Sequence, residues 1–364
     1  ALDGQAIVHS RTALLDGFLT FFLVAAFLTF LIDRHDGRER LAVRLALRLD
    51  DGKPLTGWGP RLGFRWWRLA TGILLGLACS VKWSGIYFLA VFGILMVLDD
   101  ALARRTVGVK HWLRAGVFRD GIPAFILMVP TAFVVYVASW FSWFAHSGSY
   151  HRQWAENHPG EGVQWLPEAL RSLLKYHTDI WHSMNNLIYE HPYGAHPIGW
   201  TLQLHPTVYY RENPEPAQEL CGADSCVSTI VGVGNPILWW GATAILVFLV
   251  IAWWSRLDWR FVLATSGLVA GWLPWFAYAK RVVFTFYSIA FAPWMVFVFI
   301  YPLAIVLERW DTYSRAEQTR ITAFWSAVLV AYVAVSAFMY PVWVGMPLPE
   351  WLWFWRAWLP PGWL

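Results

Sequence analysis

The stretch HSRTALLDGFLTFFLVAAFLTFLID, residues 9–33, places a cation and a carboxylate directly before an apolar run. No charged residue occurs between Phe18 and Leu31. A membrane helix needs about 20 apolar residues, or somewhat fewer where the bilayer adapts. Arg11 and Asp16 are therefore predicted to lie at the mouth of a membrane span, where ionisable groups are costly and usually mark a functional path or site.

The composition of the whole chain agrees with this prediction. The 364 residues are 57% hydrophobic and only 14% charged, whereas soluble domains carry about 25% charged residues. The 27 Trp residues suit the two membrane interfaces, where amphipathic rings accumulate. The composition predicts an all-α polytopic membrane protein. The net charge of +4 fits basic cytoplasmic loops and does not indicate nucleic-acid binding.

Apolar runs and basic loops together predict a membrane topology. The predicted spans are residues 17–32, 69–83, 85–99, 121–143, 236–254, 260–278, 283–306 and 321–341. Arg and Lys collect in residues 33–68, 100–120 and 308–320, which are therefore predicted to be cytoplasmic. Eight spans with both chain ends outside satisfy all three basic loops, and they leave residues 144–235 as a long external loop.

The predicted external loop differs in composition from the rest of the chain. It holds eight of the eleven His residues, and residues 166–190 have the pattern of an amphipathic surface helix. Cys221 and Cys226 lie here, where a disulfide is allowed outside the cytoplasm, although their spacing does not decide it. Cys79 lies in a span and is expected only to pack.

Several polar groups are predicted on the external face. Asp16 and Arg11 are candidates to cap a helix, Lys82 to extend towards the interface, and Lys280 and Arg281 to anchor the chain at lipid headgroups. Taken together they favour a different interpretation. Arg and Lys bind phosphate, and a carboxylate can deprotonate an acceptor hydroxyl. This combination suggests a glycosyltransferase with a lipid-linked sugar donor. The spacing in HPYGAHP, residues 191–197, is not a standard zinc pattern.

Several motifs resemble one family, the protein O-mannosyltransferases in their actinobacterial form. The motifs are SRTALLDGFLTFF (10–22), SVKWSGIYF (80–88), YHTDIWH (176–182), HPYGAHPIGW (191–200), HPTVYY (205–210), GNPILWW (234–240) and KRVVFTFYSIAFAPW (280–294). They extend over most of the chain and occur in the expected order. The resemblance implies a GT-C type transmembrane helix bundle with a long external loop.

The resemblance also implies a reaction and its partners. Mannose would pass from polyprenyl-phosphate-mannose to Ser or Thr of unfolded secreted proteins, with inversion, on the extracytoplasmic face of the plasma membrane. Membrane lipids and the Sec translocon are further expected partners. No cofactor is required, and a divalent cation is left open.

Each motif implies roles for particular residues. Asp16 and Arg11 would support catalysis. The donor phosphate would be bound by Arg281, Lys280 and Lys82. Residues of the external loop would shape the binding of the acceptor or the donor, namely His177, His182, His191, Tyr193 and Trp200.

One departure from the family pattern bears on activity. The principal Asp-Glu motif of the family lies between its first two spans, and no such external pair occurs in this sequence. We therefore expect the chain to lack an N-terminal part and to be inactive alone. The expected modules are residues 1–143, the catalytic-module spans; 144–235, the external loop; and 236–364, a C-terminal four-span module with an external tail.

Two other functions remain open from the sequence. Another GT-C enzyme would pass a lipid-linked sugar to a lipid or a cell-wall polymer with the same topology. A non-enzymatic transporter or scaffold is the second alternative, although transporters usually show internal repeats and broken helices.

Overall fold

The computed structural model describes residues 2–50, 57–252, 254–256 and 258–358. The α-helices are α1 (Gly4–His9), α2 (Asp16–Asp50), α3 (Trp66–Val81), α4 (Gly85–Thr106), α5 (Trp112–Ala115), α6 (Ile122–Ser139), α7 (Phe141–Ala145), α8 (Trp154–Asn157), α9 (Glu168–Asn185), α10 (Ala217–Cys221), α11 (Pro236–Ala252), α12 (Trp259–Gly271), α13 (Ala292–Glu308), α14 (Arg315–Val344) and α15 (Glu350–Phe354). The strands are β1 (Val208–Glu212), β2 (Cys226–Val231) and β3 (Leu348–Pro349). A π-helix covers Gly116–Gly121, and 3-10 turns cover Pro197–Leu202, Trp254–Arg256, Leu273–Tyr278, Thr285–Ala290 and Trp310–Thr312.

The apolar helices confirm the prediction of a helical, multi-pass membrane protein. Five helical segments within the described residues are long and apolar enough to cross a bilayer: Asp16–Asp50, Gly85–Thr106, Trp112–Ser139, Trp259–Tyr278 and Arg315–Val344. Shorter apolar helices occupy Trp66–Val81, Pro236–Ala252 and Ala292–Glu308. These eight segments coincide with the eight predicted spans.

The largest error in the predicted elements concerns the first span. The predicted helix ended at residue 32, but α2 continues to Asp50, so the first half of the predicted loop 33–68 is helical. Arg, Leu and Ala make up most of this extension and are strong helix formers. Asp36 and Arg40 add an ion pair of 2.8 Å one turn apart.

Two later predicted spans are shorter as α-helices than expected. The segment 260–278 is α-helical only to Gly271, and the 3-10 turn after it contains Pro274. The segment 283–306 begins with another 3-10 turn, and its α-helix starts at Ala292 with Pro293 in the first turn. Proline lacks the N–H that would continue a helix but fits at a helix start.

The contacts divide the chain into two compact units. One, here called the terminal unit, contains Ala1–Thr20 and Glu190–Leu364, and the other, the central unit, contains Phe21–Tyr189. The three modules expected from the sequence, residues 1–143, 144–235 and 236–364, are a functional division and remain a prediction.

Helices α3 and α6 form the closest helix pair of the central unit. A Cβ atom on Gly72 would lie 2.7 Å from the Leu127 carbonyl oxygen, and one on Gly76 would lie 2.8 Å from Cα of Ala132. Small residues four apart let helix backbones approach closely within a membrane. This spacing explains why the two helices pack without intervening side chains at these positions.

Arginine and aspartate pairs fill the other end of the same unit. Arg65 donates to both carboxylate oxygens of Asp33, at 2.9 and 2.7 Å. Arg68 contacts the same Asp33 at 3.0 Å and also pairs with Asp100. All four side chains are buried, so each charge depends on its partners.

A third arginine completes this group of buried charges. Arg104, which is fully buried, donates to both oxygens of Asp120 at 2.6 and 2.9 Å. The Asp120 carbonyl oxygen accepts from Arg68 at 3.0 Å. Three arginines and three aspartates therefore balance in charge. These six residues are named the ionic cluster: Asp33, Arg65, Arg68, Asp100, Arg104 and Asp120.

The terminal unit contains a small antiparallel sheet that composition did not predict. The strand order is β1-β2-β3, and β1 pairs with β2 from Val208 opposite Val231 to Glu212 opposite Ser228. Helix α1 packs beside it on α14, where a Cβ atom on Gly4 would lie 2.1 Å from the Trp343 ring. The apolar core here includes Val8, Val227, Val231, Met339, Trp343 and Trp353.

Candidate active site

The turn between α1 and α2 lies between Arg11 and Asp16, the two residues predicted to support catalysis. Arg11 is exposed, whereas Asp16 is buried and begins α2. Ala13 adopts a left-handed conformation with φ of 51° between them. A carboxylate in the first turn of a helix is stabilised by the helix dipole. The turn thus holds Asp16 inside the protein and leaves Arg11 accessible.

Two aromatic side chains and a histidine lie around this turn, and the sequence reasoning did not single them out. His9 Nε2 lies 3.2 Å from the Tyr209 hydroxyl, and His9 Nδ1 lies 2.7 Å from the Gln5 carbonyl oxygen. The centre of the Phe286 ring lies 6.0 Å from the centre of the His9 ring and 6.4 Å from that of the Tyr209 ring. Because a carbonyl oxygen only accepts, Nδ1 of His9 carries the proton.

Tyr209 connects this group electrostatically to Asp16. Burial raises the pKa of Tyr209 above its usual range, and the negative charge of Asp16 raises it further. The phenol therefore stays protonated and available as a hydrogen-bond donor. Tyr209 belongs to the motif HPTVYY, residues 205–210, which is the signal from which it was recognisable in the sequence.

The segment with the predicted phosphate-binding cations approaches the same turn. Thr20, in the first turn-and-a-half of α2, donates to the Ile289 carbonyl oxygen at 3.2 Å. Phe286, which contacts His9, lies five positions after Arg281 in the chain. Two motifs about 270 residues apart in sequence are thus brought together within the terminal unit.

Arg281 has one nitrogen that no group among the described residues satisfies. Its guanidinium lies 5.8 Å from the centre of the Trp275 ring. Its Nε atom is buried and has no hydrogen-bond partner among the described residues. An unsatisfied buried donor on a cation suits an anionic oxygen. The neighbouring Lys280 is exposed.

Two loop motifs, HPYGAHPIGW and HPTVYY, are hydrogen-bonded to the segment that follows these cations. The Ala195 N–H donates to the Val283 carbonyl oxygen at 2.8 Å. The Thr285 hydroxyl donates to the His205 carbonyl oxygen at 2.6 Å. These bonds join the loop to residues that follow Lys280 and Arg281 in the chain.

The predicted residues of the motif HPYGAHPIGW differ in how deeply their side chains are buried. His191 accepts from the Tyr193 N–H at 3.1 Å through Nδ1, and both side chains are only partly buried. Trp200 is fully buried, donates to the Ala195 carbonyl oxygen at 2.9 Å and packs 5.8 Å from the Trp275 ring. Trp200 thus packs inside the loop, and its part in acceptor or donor binding stays a prediction.

Neutral side chains form a buried cluster beneath the site, here called the amide cluster: Gln5, Gln203 and Ser288. Gln5 Nε2 donates to Gln203 Oε1 and to Ser288 Oγ, both at 2.8 Å. Gln203 Oε1 also accepts from the Gly234 N–H at 3.1 Å. The cluster joins α1, the loop and the 3-10 turn of residues 285–290, and it thereby fixes all three without any net charge.

Asp3 is a second buried group that the sequence reasoning missed. It caps α1 through Gln5 N, and its other oxygen accepts from Asn235 N at 2.8 Å and Trp239 Nε1 at 3.1 Å. Burial raises the pKa of Asp3, and these hydrogen bonds lower it in part. Asp3 therefore ties α1 to the start of α11.

In the central unit, His177 belongs to a separate aromatic group. Its Nε2 lies 2.6 Å from the Tyr136 hydroxyl, which accepts from Trp83 Nε1 at 2.8 Å. Its Nδ1 donates to the Leu173 carbonyl oxygen at 2.7 Å. Nε2 of His177 thus links α9 to Tyr136 of α6, whereas Nδ1 bonds within α9. Helix α9 confirms the predicted amphipathic helix within residues 166–190.

The remaining predicted residues range from exposed to buried. His182 is exposed in the last turn of α9, and Lys82 is partly buried at the end of α3. Cys221 and Cys226 form a disulfide with a Cα–Cα distance of 6.1 Å at the start of β2. Cys79 is a partly buried free thiol.

The histidines of HPYGAHP act as local caps. His191 and His196 each accept a backbone N–H through Nδ1, the latter from Ile198 at 3.3 Å. Within the described residues, no group of three or more His, Cys, Asp or Glu side chains is placed to hold a metal ion.

Comparisons with known proteins agree with these motifs. The family model of dolichyl-phosphate-mannose-protein mannosyltransferase matches residues 60–136. The polyprenol-phosphate-mannose–protein mannosyltransferase of Mycobacterium tuberculosis (strain H37Rv) is 37% identical over 98% of this chain and 68% of its own length. That of Corynebacterium glutamicum is 30% identical over 98% of this chain and 69% of its own length.

A solved structure shares the fold. The Saccharomyces cerevisiae protein O-mannosyltransferase Pmt1-Pmt2 complex bound to the sugar donor matches with a TM-score of 0.69 at 13% identity, over 99% of this chain and 75% of that one. The fold and the likeness to the mycobacterial enzymes over nearly the whole chain lead to one conclusion: the chain belongs to the polyprenol-phosphate-mannose–protein mannosyltransferase family.

Proposed function

We propose that this chain transfers mannose from polyprenyl-phosphate-mannose to Ser or Thr hydroxyls of secreted proteins, with inversion at the anomeric carbon. The observation that carries the proposal is the 37% identity over 98% of the chain to enzymes named for this donor and for a protein acceptor. The site in the terminal unit supplies groups suited to such a transfer.

Arg281 is proposed to bind the phosphate of the donor. The guanidinium is held on Trp275 while its Nε remains unsatisfied by protein. Transfer of the sugar leaves negative charge on the polyprenyl phosphate, and a fixed cation stabilises that charge in the transition state. Lys280 and Lys82 are proposed as further phosphate contacts, the first because it adjoins Arg281.

Asp16 and Arg11 are proposed to support the acceptor side. An inverting displacement needs a base that removes the proton of the attacking hydroxyl. Asp16 is assigned a supporting role, because the family's principal acidic motif is an Asp-Glu pair elsewhere. Its charge acts on Tyr209, so the two groups are proposed to orient the acceptor together. His177, His182, His191 and Tyr193 remain proposed loop contacts.

The site is proposed to face the extracytoplasmic side of the plasma membrane. The support is the positive-inside distribution: residues 33–68, 100–120 and 308–320 carry the basic clusters. Acceptors would then be modified while unfolded and near the Sec translocon, with membrane lipids around the spans. A divalent cation is left open.

A transfer assay on membranes with the full-length gene product tests this function. Radiolabelled polyprenyl-phosphate-mannose is supplied with a Ser/Thr-rich peptide, and a matched peptide with Ala at those positions is the control. We expect label on the first peptide alone, released by alkali. Label on a lipid or polymer instead would favour the other GT-C reaction and overturn the proposed acceptor.

A further inference from the structure

The central unit contains a cavity that is lined by none of the proposed site residues. Its volume is about 400 Å³, and it lies where residues 62–65 meet the π-helix and the start of α6. Its polar wall contains Arg65, Arg68, Arg119 and Asp120. The transfer reaction uses none of these groups.

Arg119 differs from the other arginines of the wall. Arg65 and Arg68 are paired with aspartates of the ionic cluster. The carboxylate next to Arg119 is already bound by Arg104, and Arg119 itself donates to the Gly59 carbonyl oxygen. Its contacts within the described residues include no ion pair, so its charge is uncompensated by a bound carboxylate.

Other cations reinforce this charge. The main charges that act on Arg119 are the cations Arg104, Arg61 and Arg48 and the carboxylate of Asp120. The loop that borders the cavity is itself held by arginines, because Arg104, Arg119, Arg44 and Arg40 donate to carbonyl oxygens between residues 58 and 64. The mouth of the cavity therefore attracts anions.

The backbone at this position is unusual in a second way. Arg119 and Asp120 lie in the π-helix Gly116–Gly121, which directly precedes α6. Single π-turns are rare and frequently occur at functional sites. Here the π-turn carries the uncompensated cation and the carboxylate that binds Arg104.

The opposite wall of the cavity is apolar and open to the surroundings. Phe64 and Ile126 are 48% and 57% exposed, and Pro123 is also exposed. Pro123 and Ile126 lie on the apolar segment Trp112–Ser139, which is long enough to cross a membrane. The cationic wall of the cavity, with Arg119, therefore adjoins an exposed apolar surface that can contact acyl chains.

We propose that this cavity binds an anionic glycerophospholipid, with its phosphate against Arg119 and an acyl chain along Pro123 and Ile126. Basic pockets between membrane helices on the cytoplasmic side bind such headgroups. The choice of leaflet rests on the topology proposed above, whereas the site is independent of the transfer reaction.

Native mass spectrometry of the full-length protein released from nanodiscs tests the proposal. The discs contain equal amounts of phosphatidylglycerol and phosphatidylcholine. The wild type should retain phosphatidylglycerol preferentially, and Arg119→Gln should reduce its retention about tenfold, as for one charged contact. Arg114→Gln, at an exposed arginine of α5, is the matched control and should retain the lipid.

Two further measurements keep the test decisive if Arg119→Gln does not fold. Ile126→Trp should obstruct the cavity and lower retention without removing a charge. Inorganic phosphate added to the wild type should not displace the lipid. Equal retention of phosphatidylcholine, equal losses in Arg119→Gln and Arg114→Gln, or displacement by phosphate alone would each overturn the proposal.

Discussion

The central unit stabilises its buried polar groups by charge, whereas the terminal unit places uncharged groups beneath the candidate active site. In the ionic cluster, Arg65 and Arg68 share Asp33. In the amide cluster, Gln5 bonds Gln203 and Ser288, both at 2.8 Å. Both clusters are buried and join segments that are distant in sequence.

The difference matters because charge acts over distance and amide hydrogen bonds do not. A buried ion pair is tolerated where each charge has partners, but it is costly to break. An amide cluster fixes α1 without adding a field of its own. The amide cluster therefore leaves the electrostatics near the turn to charged groups, which include Asp16, Arg11 and the buried Asp3.

Among the variants that test this comparison, the largest loss of stability is expected at Asp33. Asp33→Ala removes a carboxylate shared by Arg65 and Arg68 and should lower the free energy of unfolding by about 3–5 kcal/mol. Thermal unfolding in detergent measures it. Asp36→Ala, which breaks the more exposed pair with Arg40, is the control and should cost at most about 1 kcal/mol. Equal losses would show that burial does not distinguish these pairs.

The next effect concerns the site rather than its scaffold. Arg281→Ala removes the proposed phosphate contact and should raise KM for the lipid donor about 10- to 100-fold, the equivalent of one charged hydrogen bond. Donor saturation curves on membranes measure it. Arg309→Ala, at an exposed arginine of the predicted cytoplasmic segment 308–320, should leave KM unchanged. An unchanged KM in Arg281→Ala would remove this role.

A change in the amide cluster should have a smaller effect on stability than Asp33→Ala. Gln5→Leu removes one of the two donors to Gln203 Oε1 and the bonds of Gln5 with Ser288, and it should cost about 1–3 kcal/mol. It should also lower kcat, because α1 carries the chain into the Arg11–Asp16 turn. Gln318→Leu, at a partly exposed amide of α14, is the control for both measurements. A stable variant with unchanged kcat would separate the cluster from the site.

The smallest expected effect is a pH dependence at Tyr209. Its pKa is raised in the folded chain by burial and by Asp16, so the unfolded chain loses this proton first, above about pH 10. The free energy of unfolding then falls as pH rises, by up to about 1.4 kcal/mol per pH unit from this group.

Tyr209→Phe removes this contribution. The variant should lose stability less steeply above pH 10 than the wild type, whereas Tyr150→Phe, at an exposed ring of the central unit, should not differ from it. Chemical denaturation between pH 9 and pH 11 measures the slopes. Identical slopes in all three proteins would show that Tyr209 is not coupled to folding.

Local patterns in the sequence were sufficient for part of the fold. The start of α2 near Asp16 and helix α9 follow from apolar periodicity, which neighbouring residues determine. The end of α2 was missed because basic residues suggested a loop, although they form helices well. The sheet was missed because its strands are short and their partners lie far away in sequence.

The candidate site was predicted only where a motif was visible. Arg11, Asp16 and Arg281 were identified, whereas the bonds of Gln5 and Asp3 depend on partners about 200 or more positions away. The distribution of charges in the sequence placed Arg65 and Arg68 in a cytoplasmic loop. Only the structure shows that both side chains are buried and paired with aspartates. Nothing in the sequence alone indicates which charges are compensated.

The length of α2 has a consequence for the membrane itself. Its 35 residues extend about 52 Å, against about 30 Å of hydrocarbon. Asp16 and Asp33, 17 positions apart in this helix, lie about 26 Å apart along its axis. Because this spacing is close to the hydrocarbon thickness, a shift of the helix along the bilayer normal would move one of the two carboxylates, with its buried partners, towards the middle of the membrane. We expect α2 to fix the hydrophobic thickness of the protein, so that a thicker or thinner bilayer must deform around it.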